Sequence, residues 1–384
     1  MNRPVFADLA GQQRVIDNLC AEVDRGNPTH AWLVTGPPGS GRTTAARAFA
    51  AALQCTNTPA GCGECENCKL VLASSHPDVS FVSTDKFEYQ IADVRHLITR
   101  AQESASTGRW RIIIIEDADR MSERSTNVLL KAIEEPPAKM IWILCAPSPA
   151  DVLVTIRSRC RAVNLSVPST SDVADLLVRR DGLDPQQALF AARVSQSHIG
   201  VARLLARDEQ ARIQREKVVT LPLRTTTLPQ AMAAAAEISK LATERAESIT
   251  GTDLQKKTEQ LRHANGLGPE ETIPPGLRSQ FKALEEDAKR FARRASFDAL
   301  DRTLTDLTTF FRDVLSLQLG TGIELINEHL REKLEAYSRG QSKEKSLAQL
   351  DAINQTRSRL AANVNQLMAL EALMTRLLPN PGRR

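Results

Sequence analysis

Short apolar runs separated by helix-like stretches fill the first 165 residues of the chain. Ala31–Thr35 (AWLVT), Val79–Ser83, Arg111–Ile115, Met140–Cys145 and Arg161–Leu165 are each five or six residues long, and the first, third and fourth are apolar at nearly every position. Runs of that length without alternation predict strands buried on both faces of a parallel sheet. Between them, Thr43–Leu53, Ile91–Ser106 and Ser125–Glu134 carry helical spacing. Strands alternating with helices predict an α/β fold with helices on both faces. The pattern changes at Val167-Pro168-Ser169, where Ser169 and Asp172 form a capping pair ahead of short helices that run to about Asp208. Beyond that the chain reads as helical almost throughout. Leu304, Leu307, Phe311, Val314 and Leu315, and again Leu360, Val364, Leu367, Met374 and Leu378, recur at helical spacing and predict an all-α domain. Between these stripes, residues 237–294 are strongly charged, with Gly/Pro interruptions at Gly266–Pro269 and Ile273–Gly276; two exposed helices and a connecting loop are expected there. Pro379–Arg384 reads as a frayed tail.

The length of 384 residues predicts two or three domains. A net charge of +4 permits contact with nucleic acid without requiring it. No apolar run approaches a bilayer span, and Met1–Leu9 lacks an apolar signal core, so a cytosolic protein without a membrane partner is expected. In that compartment the seven cysteines point to thiols or a metal site, not to a disulfide framework.

Four of them, Cys55, Cys62, Cys65 and Cys68, follow C-x6-C-x2-C-x2-C. Four thiolates at such spacing suit a closed tetrahedral Zn²⁺ site, which is structural because no coordination position stays open. The competing reading is a set of unrelated buried thiols, and Cys20, Cys145 and Cys160 are read that way.

Directly after the first strand stands Gly36-Pro37-Pro38-Gly39-Ser40-Gly41-Arg42-Thr43-Thr44. This is the outline of a P-loop, whose glycines let backbone N–H groups cradle phosphate at a helix N-terminus. Arg42 stands where lysine belongs, and its planar fork aims its donors differently from a compact ammonium. Ile112–Ile115 followed by Glu116-Asp117 has the form of a Walker B strand, but an intact one ends in Asp-Glu, so each carboxylate reach is changed by one methylene. The next strand ends in Ala146-Pro147, which offers no side-chain donor to a γ-phosphate. Gly36, Gly39, Gly41, Arg42, Thr43, Thr44, Glu116 and Asp117 thus make a degenerate nucleotide site. ATP or ADP could be held there but not hydrolysed. Arg157 and Arg159, before the last strand, are either surface charges or a source of an arginine finger, a guanidinium given to another subunit's phosphate.

Ser125–Pro137 (STNVLLKAIEEPP), Ser158-Arg159-Cys160, the P-loop, the four-cysteine insert and His76-Pro77-Asp78 together resemble bacterial replicative clamp loaders, the AAA+ subunits of the DNA polymerase III clamp-loader complex. The resemblance is dense over residues 1 to about 207 and general beyond. Arg42, Glu116-Asp117, Ala146-Pro147 and Gly200, at the register of a lid arginine, side with the delta-prime branch, which keeps the finger and loses much of the ATP chemistry. The alternatives are an active gamma/tau-like ATPase and an inert nucleotide-holding subunit. The resemblance implies an AAA+ core over residues 1–167 with its zinc module at about 55–68, a helical lid at 168–208 and a helical collar at 209–384 bearing the charged insertion. It further implies gamma/tau and delta subunits, a sliding clamp and primer–template DNA as partners, with Arg159 as the finger in trans. Arg95, Arg100, Arg109 and Arg111 are candidates for backbone contacts to DNA, although solvated helix faces and loop ends account for most of them.

Overall fold

Isoleucine at four consecutive positions, Ile112–Ile115, can be buried only if both faces of the strand are covered, and that is what the computed structural model shows. It describes residues 3–84, 88–106, 109–265, 267–268, 271–274, 277–362 and 364–379. The chain forms two units, residues 1–208 and 209–384.

In the first unit, β1 (Ala31–Thr35), β2 (Val79–Val82), β3 (Arg111–Ile115), β4 (Met140–Ala146) and β5 (Arg161–Asn164) make one parallel sheet in the order β2-β3-β4-β1-β5. Strand β4 therefore stands between the strand that leads into the glycine loop and the strand that carries the acids. One face, with Trp32, Val34, Ile112, Ile114, Ile141 and Ile143, packs on α1 (Gln13–Arg25), α2 (Arg42–Gln54) and α3 (Glu66–Leu72). The other, with Leu33, Ile113, Ile115, Trp142 and Leu144, packs on α4 (Ile91–Ala101) and α5 (Glu123–Glu134). A single turn, α6 (Val154–Arg157), precedes β5.

Helix α4 stops at Ala101 instead of running to Ser106 as its pattern suggests. The buried Asp78 carboxylate accepts from both the N–H and the hydroxyl of Ser106, at 2.7 and 2.9 Å, and this pulls the segment out of helical geometry. The same carboxylate lies 3.4 Å from Arg111, which also pairs with Glu103. Arg111 is thus a buried tether and not a surface contact for DNA.

Three helices follow the sheet: α7 (Thr170–Asp181), α8 (Pro185–Val194) and α9 (Ile199–Arg207). Ser169 and Asp172 form the capping box read from the sequence. Asp181, the last residue of α7, ties that helix to α9: its buried carboxylate meets Arg180 and Arg203 at 3.1 Å and Arg207 at 2.7 Å. Burial opposes its ionisation, but these guanidinium groups outweigh that and hold its pKa below the usual carboxylate value. A depressed carboxylate stabilises the fold above its unfolded pKa of about 4, and loses that effect as pH falls through the folded value. Asp181→Asn should therefore lower the unfolding free energy of the first unit by ~1–2 kcal/mol near neutral pH, discounted for the half-exposed arginines, with the difference shrinking below about pH 4. Denaturant titrations at pH 7 and pH 3.5 check this.

The second unit contains α10 (Glu209–Val219), α11 (Leu221–Arg224), α12 (Leu228–Ala264), α13 (Arg278–Leu319), α14 (Arg331–Arg339), α15 (Lys343–Ala361) and α16 (Gln366–Leu377). The charged stretch is not a separate pair of helices. It forms the far halves of α12 and α13, which continue unbroken from apolar segments in the core. Where the two approach their connection, Arg262 donates to the carbonyls of Gly268 and Glu271, at 2.8 and 2.9 Å, and lies over the Phe281 ring. Gly266, Pro269, Pro275 and Gly276, and the tail from residue 380, lie outside the described residues. Leu304, Leu307, Phe311, Val314, Leu360 and Met374 are buried as their spacing predicts. Val364 and Leu367 are not, at 44% and 40% exposed. Helix α15 ends at Ala361 and α16 starts at Gln366, so the break resets the phase, and Leu370, Leu373 and Leu377 face inward instead.

Candidate functional site

The glycine loop lies at the carboxyl end of β1, between that strand and α2, where phosphate-binding turns belong. Gly41, at φ +95°, is the residue before the helix, and Gly39, at φ +83°, has no room for a side chain. A Cβ on Gly39 would stand 2.4 Å from the His198 ring, because His198, at the start of α9, rests on the loop. The Ile199 N–H donates to the Gly39 carbonyl at 3.4 Å. Arg42 folds back on the loop: its Nη1 donates to the Gly36 carbonyl at 2.5 Å. The cation at the position that would meet phosphate is therefore committed to the loop's own backbone.

The acids behave unequally. Glu116 lies beside the Thr43 hydroxyl, and its pKa is raised, first by burial and then by Asp117, against the pull of Thr43, Arg47 and Arg42. Asp117 adopts a left-handed backbone conformation, φ 53°, and its carboxylate lies 3.5 Å from Arg120. The structure thus brings Arg42, Thr43 and Glu116 together and turns Asp117 toward its own helical turn. Ala146 ends β4 beside Thr35, and Ser148 uses its hydroxyl to cap the turn that follows. Gly200 is the second residue of α9, and the nearby Arg203 is directed at Asp181.

The four cysteines converge. Cys55 follows α2, Cys65 caps α3, and Cys68 lies within α3. Their sulfurs, with that of Cys62, all lie within 4.8 Å of one another; Cys55 Sγ is 3.6 Å from Cys62 Sγ and 3.8 Å from Cys65 Sγ. Tetrahedral Zn–S bonds of ~2.3 Å would set the sulfurs ~3.8 Å apart, so the cluster could hold a metal ion such as zinc. Burial pushes the Cys65 thiol up, but hydrogen bonds led by the Cys68 N–H bring it down to about 6, toward the thiolate a metal requires. At Cys68 burial prevails and the thiol is pushed well up, so the shifts within the cluster are uneven. Cys145 and Cys160, outside the cluster, are pushed up to about 12 by burial and are ordinary core thiols.

Arg159 stands at the other end of the sheet. It precedes β5, whose Arg161 pairs with Trp32 near the start of β1, whereas the glycine loop begins after Thr35. Four residues at ~3.3 Å each put roughly 13 Å of strand between Arg159's edge and its own loop. Its Nε donates to Glu134 Oε1 at 2.6 Å, and its Nη1 donates to the Thr155 carbonyl at 2.8 Å and the Ser158 hydroxyl at 3.2 Å. The His198 contact and the Glu134 pair both escaped the sequence reading. His198 gave no signal there. Glu134 did, as a carboxylate at a helix C-terminus, where the dipole disfavours it.

A parallel sheet with an extra strand between loop strand and acid strand, a helical lid on the loop and an all-α second unit define a AAA+-type P-loop protein. Comparison with known proteins narrows this. Residues 11–169 match the family model described as DNA polymerase III, delta subunit, and residues 280–378 match that for the C terminal of the DNA polymerase III delta subunit. The delta′ subunit of Bacillus subtilis is 24% identical over 95% of this chain and 96% of its own length. That of Pseudomonas aeruginosa is 32% identical over 43% of this chain and 52% of its own. The tau/gamma subunit of Haemophilus influenzae is 33% identical over 45% of this chain but only 25% of that protein, so the chain spans about a quarter of the relative's length. A gamma subunit-related protein of Thermotoga maritima has a solved structure with 16% identity and a TM-score of 0.42, covering 94% of this chain and 98% of its own. The chain belongs to the DNA polymerase III clamp-loader subunit family, with a full-length relative among the delta′ subunits. Among the described residues, no helix is long and apolar enough to cross a membrane.

Proposed function

We propose that this chain is the delta-prime subunit of a clamp loader: it hydrolyses no ATP itself and supplies Arg159 to ATP held by a neighbouring gamma/tau-type subunit. Hydrolysis there drives loading of the sliding clamp onto primed DNA, with the delta subunit completing the assembly, and zinc in the four-cysteine site holds the segment after α2. The observation that carries the trans role is the separation within the sheet. Arg159 lies at the opposite end of the strands from its own glycine loop, so no phosphate on that loop is within its reach, whereas a phosphate on another subunit can be. The non-hydrolysing role is supported by four features: Arg42 bound to the Gly36 carbonyl, Asp117 beside Arg120, the absence of a side-chain donor at Ala146, and His198 resting on Gly39.

The isolated chain is expected to show no ATP turnover above background, and its addition to the partner subunits is expected to raise theirs. Turnover by the isolated chain near that of ordinary ATPases would instead identify an active gamma/tau-like enzyme adapted to Arg42.

A further inference from the structure

The Glu134-Glu135-Pro136-Pro137 segment helps to identify the family, but nothing above gives Glu134 a task. Its position is electrostatically poor. Glu135 leaves helical geometry at φ −122°, ψ 65°, as a residue before proline tends to, and this ends α5 at Glu134. The carboxylate therefore sits at the negative end of the helix dipole. Its ion pair with Arg159 has both side chains more than 40% exposed, at 41% and 43%, and such pairs add little to stability. Stability alone does not account for the arrangement, whereas orientation does.

An arginine side chain turns about several bonds, and a finger acts through the placement of its fork. Here the Nε edge is taken by Glu134, and Nη1 by the Thr155 carbonyl and the Ser158 hydroxyl. Three contacts from two segments fix both the plane and the direction of the guanidinium. Among the described residues, Nη2 has no hydrogen-bond partner, so its N–H groups are the ones left to donate to another molecule. We propose that Glu134 is a positioning residue for Arg159: it holds the guanidinium with Nη2 directed at the phosphoryl group of the neighbouring subunit's ATP. This rests on the reading of Arg159 as a finger in trans, and it links two motifs that lie 25 residues apart in the sequence.

The test uses the full chain in the reconstituted complex, with steady-state ATP hydrolysis and subunit assembly measured together. Glu134→Ala should lower kcat about two- to fivefold, the range an exposed ion pair supports, with KM for ATP and assembly unchanged. Glu134→Gln keeps an acceptor for the Nε–H and should retain at least half of the wild-type kcat. In an Arg159→Ala background, Glu134→Ala should have no further effect. A loss that persists in that background would mark Glu134 as merely structural and overturn the proposal. A gain in kcat would overturn it too, because the carboxylate would then be withholding the finger. If Arg159→Ala lowers turnover while Glu134→Ala does not, the positioning role alone fails. If Arg159→Ala itself has no effect, the finger reading fails and takes this proposal with it.

Discussion

Replacing Cys68 by serine is expected to abolish zinc binding by the first unit and to make it less stable than the zinc-loaded wild type by at least ~3 kcal/mol. Cys68 is fully buried, anchored in α3 within 4.8 Å of the other three sulfurs, and its N–H donates to Cys65 Sγ. A hydroxyl there is a poor ligand for a borderline-soft ion, and three remaining thiolates would be left close together without the charge that offsets their repulsion. The consequence reaches beyond the cluster. Cys55 and Cys68 belong to the same apolar core as Phe49 and Leu53 of α2, the helix that begins at the glycine loop. Elemental analysis should find one zinc per wild-type chain and little in Cys68→Ser. Cys20→Ser, which changes a thiol outside the cluster, should keep its zinc. Wild-type protein that holds no zinc after preparation without chelator would contradict the assignment.

Replacing Arg159 by alanine is expected to slow hydrolysis at the neighbouring site by about 10³-fold or more, because an arginine finger contributes roughly 10³–10⁵ in rate. Assembly should survive, since the side chain is half exposed and its loss removes one surface ion pair from the fold. Arg159→Lys is the informative companion. Lysine keeps the charge but has no Nε–H for Glu134 and no planar fork, so it should recover only a small part of the rate. Full recovery by lysine would mean that charge alone matters at this position.

The centre of the sheet was legible in the sequence because β1, β3 and β4 are buried on both faces and so appear as nearly unbroken apolar runs; Ile112–Ile115 and Ile141–Leu144 are the clearest cases. The four cysteines were legible as a candidate metal site because residues that converge within a short segment keep their spacing in the sequence. What escaped depended on contacts distant in the chain. The end of α4 is set by Asp78, 28 residues before Ser106, and no local pattern reports that. Arg111 looks like any basic residue at a strand start until Asp78 and Glu103 enclose it. Val364 and Leu367 fitted a helical stripe only if α15 and α16 were one helix. At the glycine loop, the oddity of Arg42 was visible, but its bond to Gly36 and the cover provided by His198 were not, since both need the fold.

The central claim is that this chain acts on a phosphate held elsewhere. ATP turnover of the reconstituted complex, measured side by side with Glu116→Gln and Arg159→Ala chains, tests it most directly. Glu116→Gln preserves shape at the chain's own loop and should leave turnover within about twofold of wild type, whereas Arg159→Ala should reduce it by orders of magnitude. The reverse pattern, with turnover lost in Glu116→Gln and kept in Arg159→Ala, would place the chemistry on this chain and contradict the account.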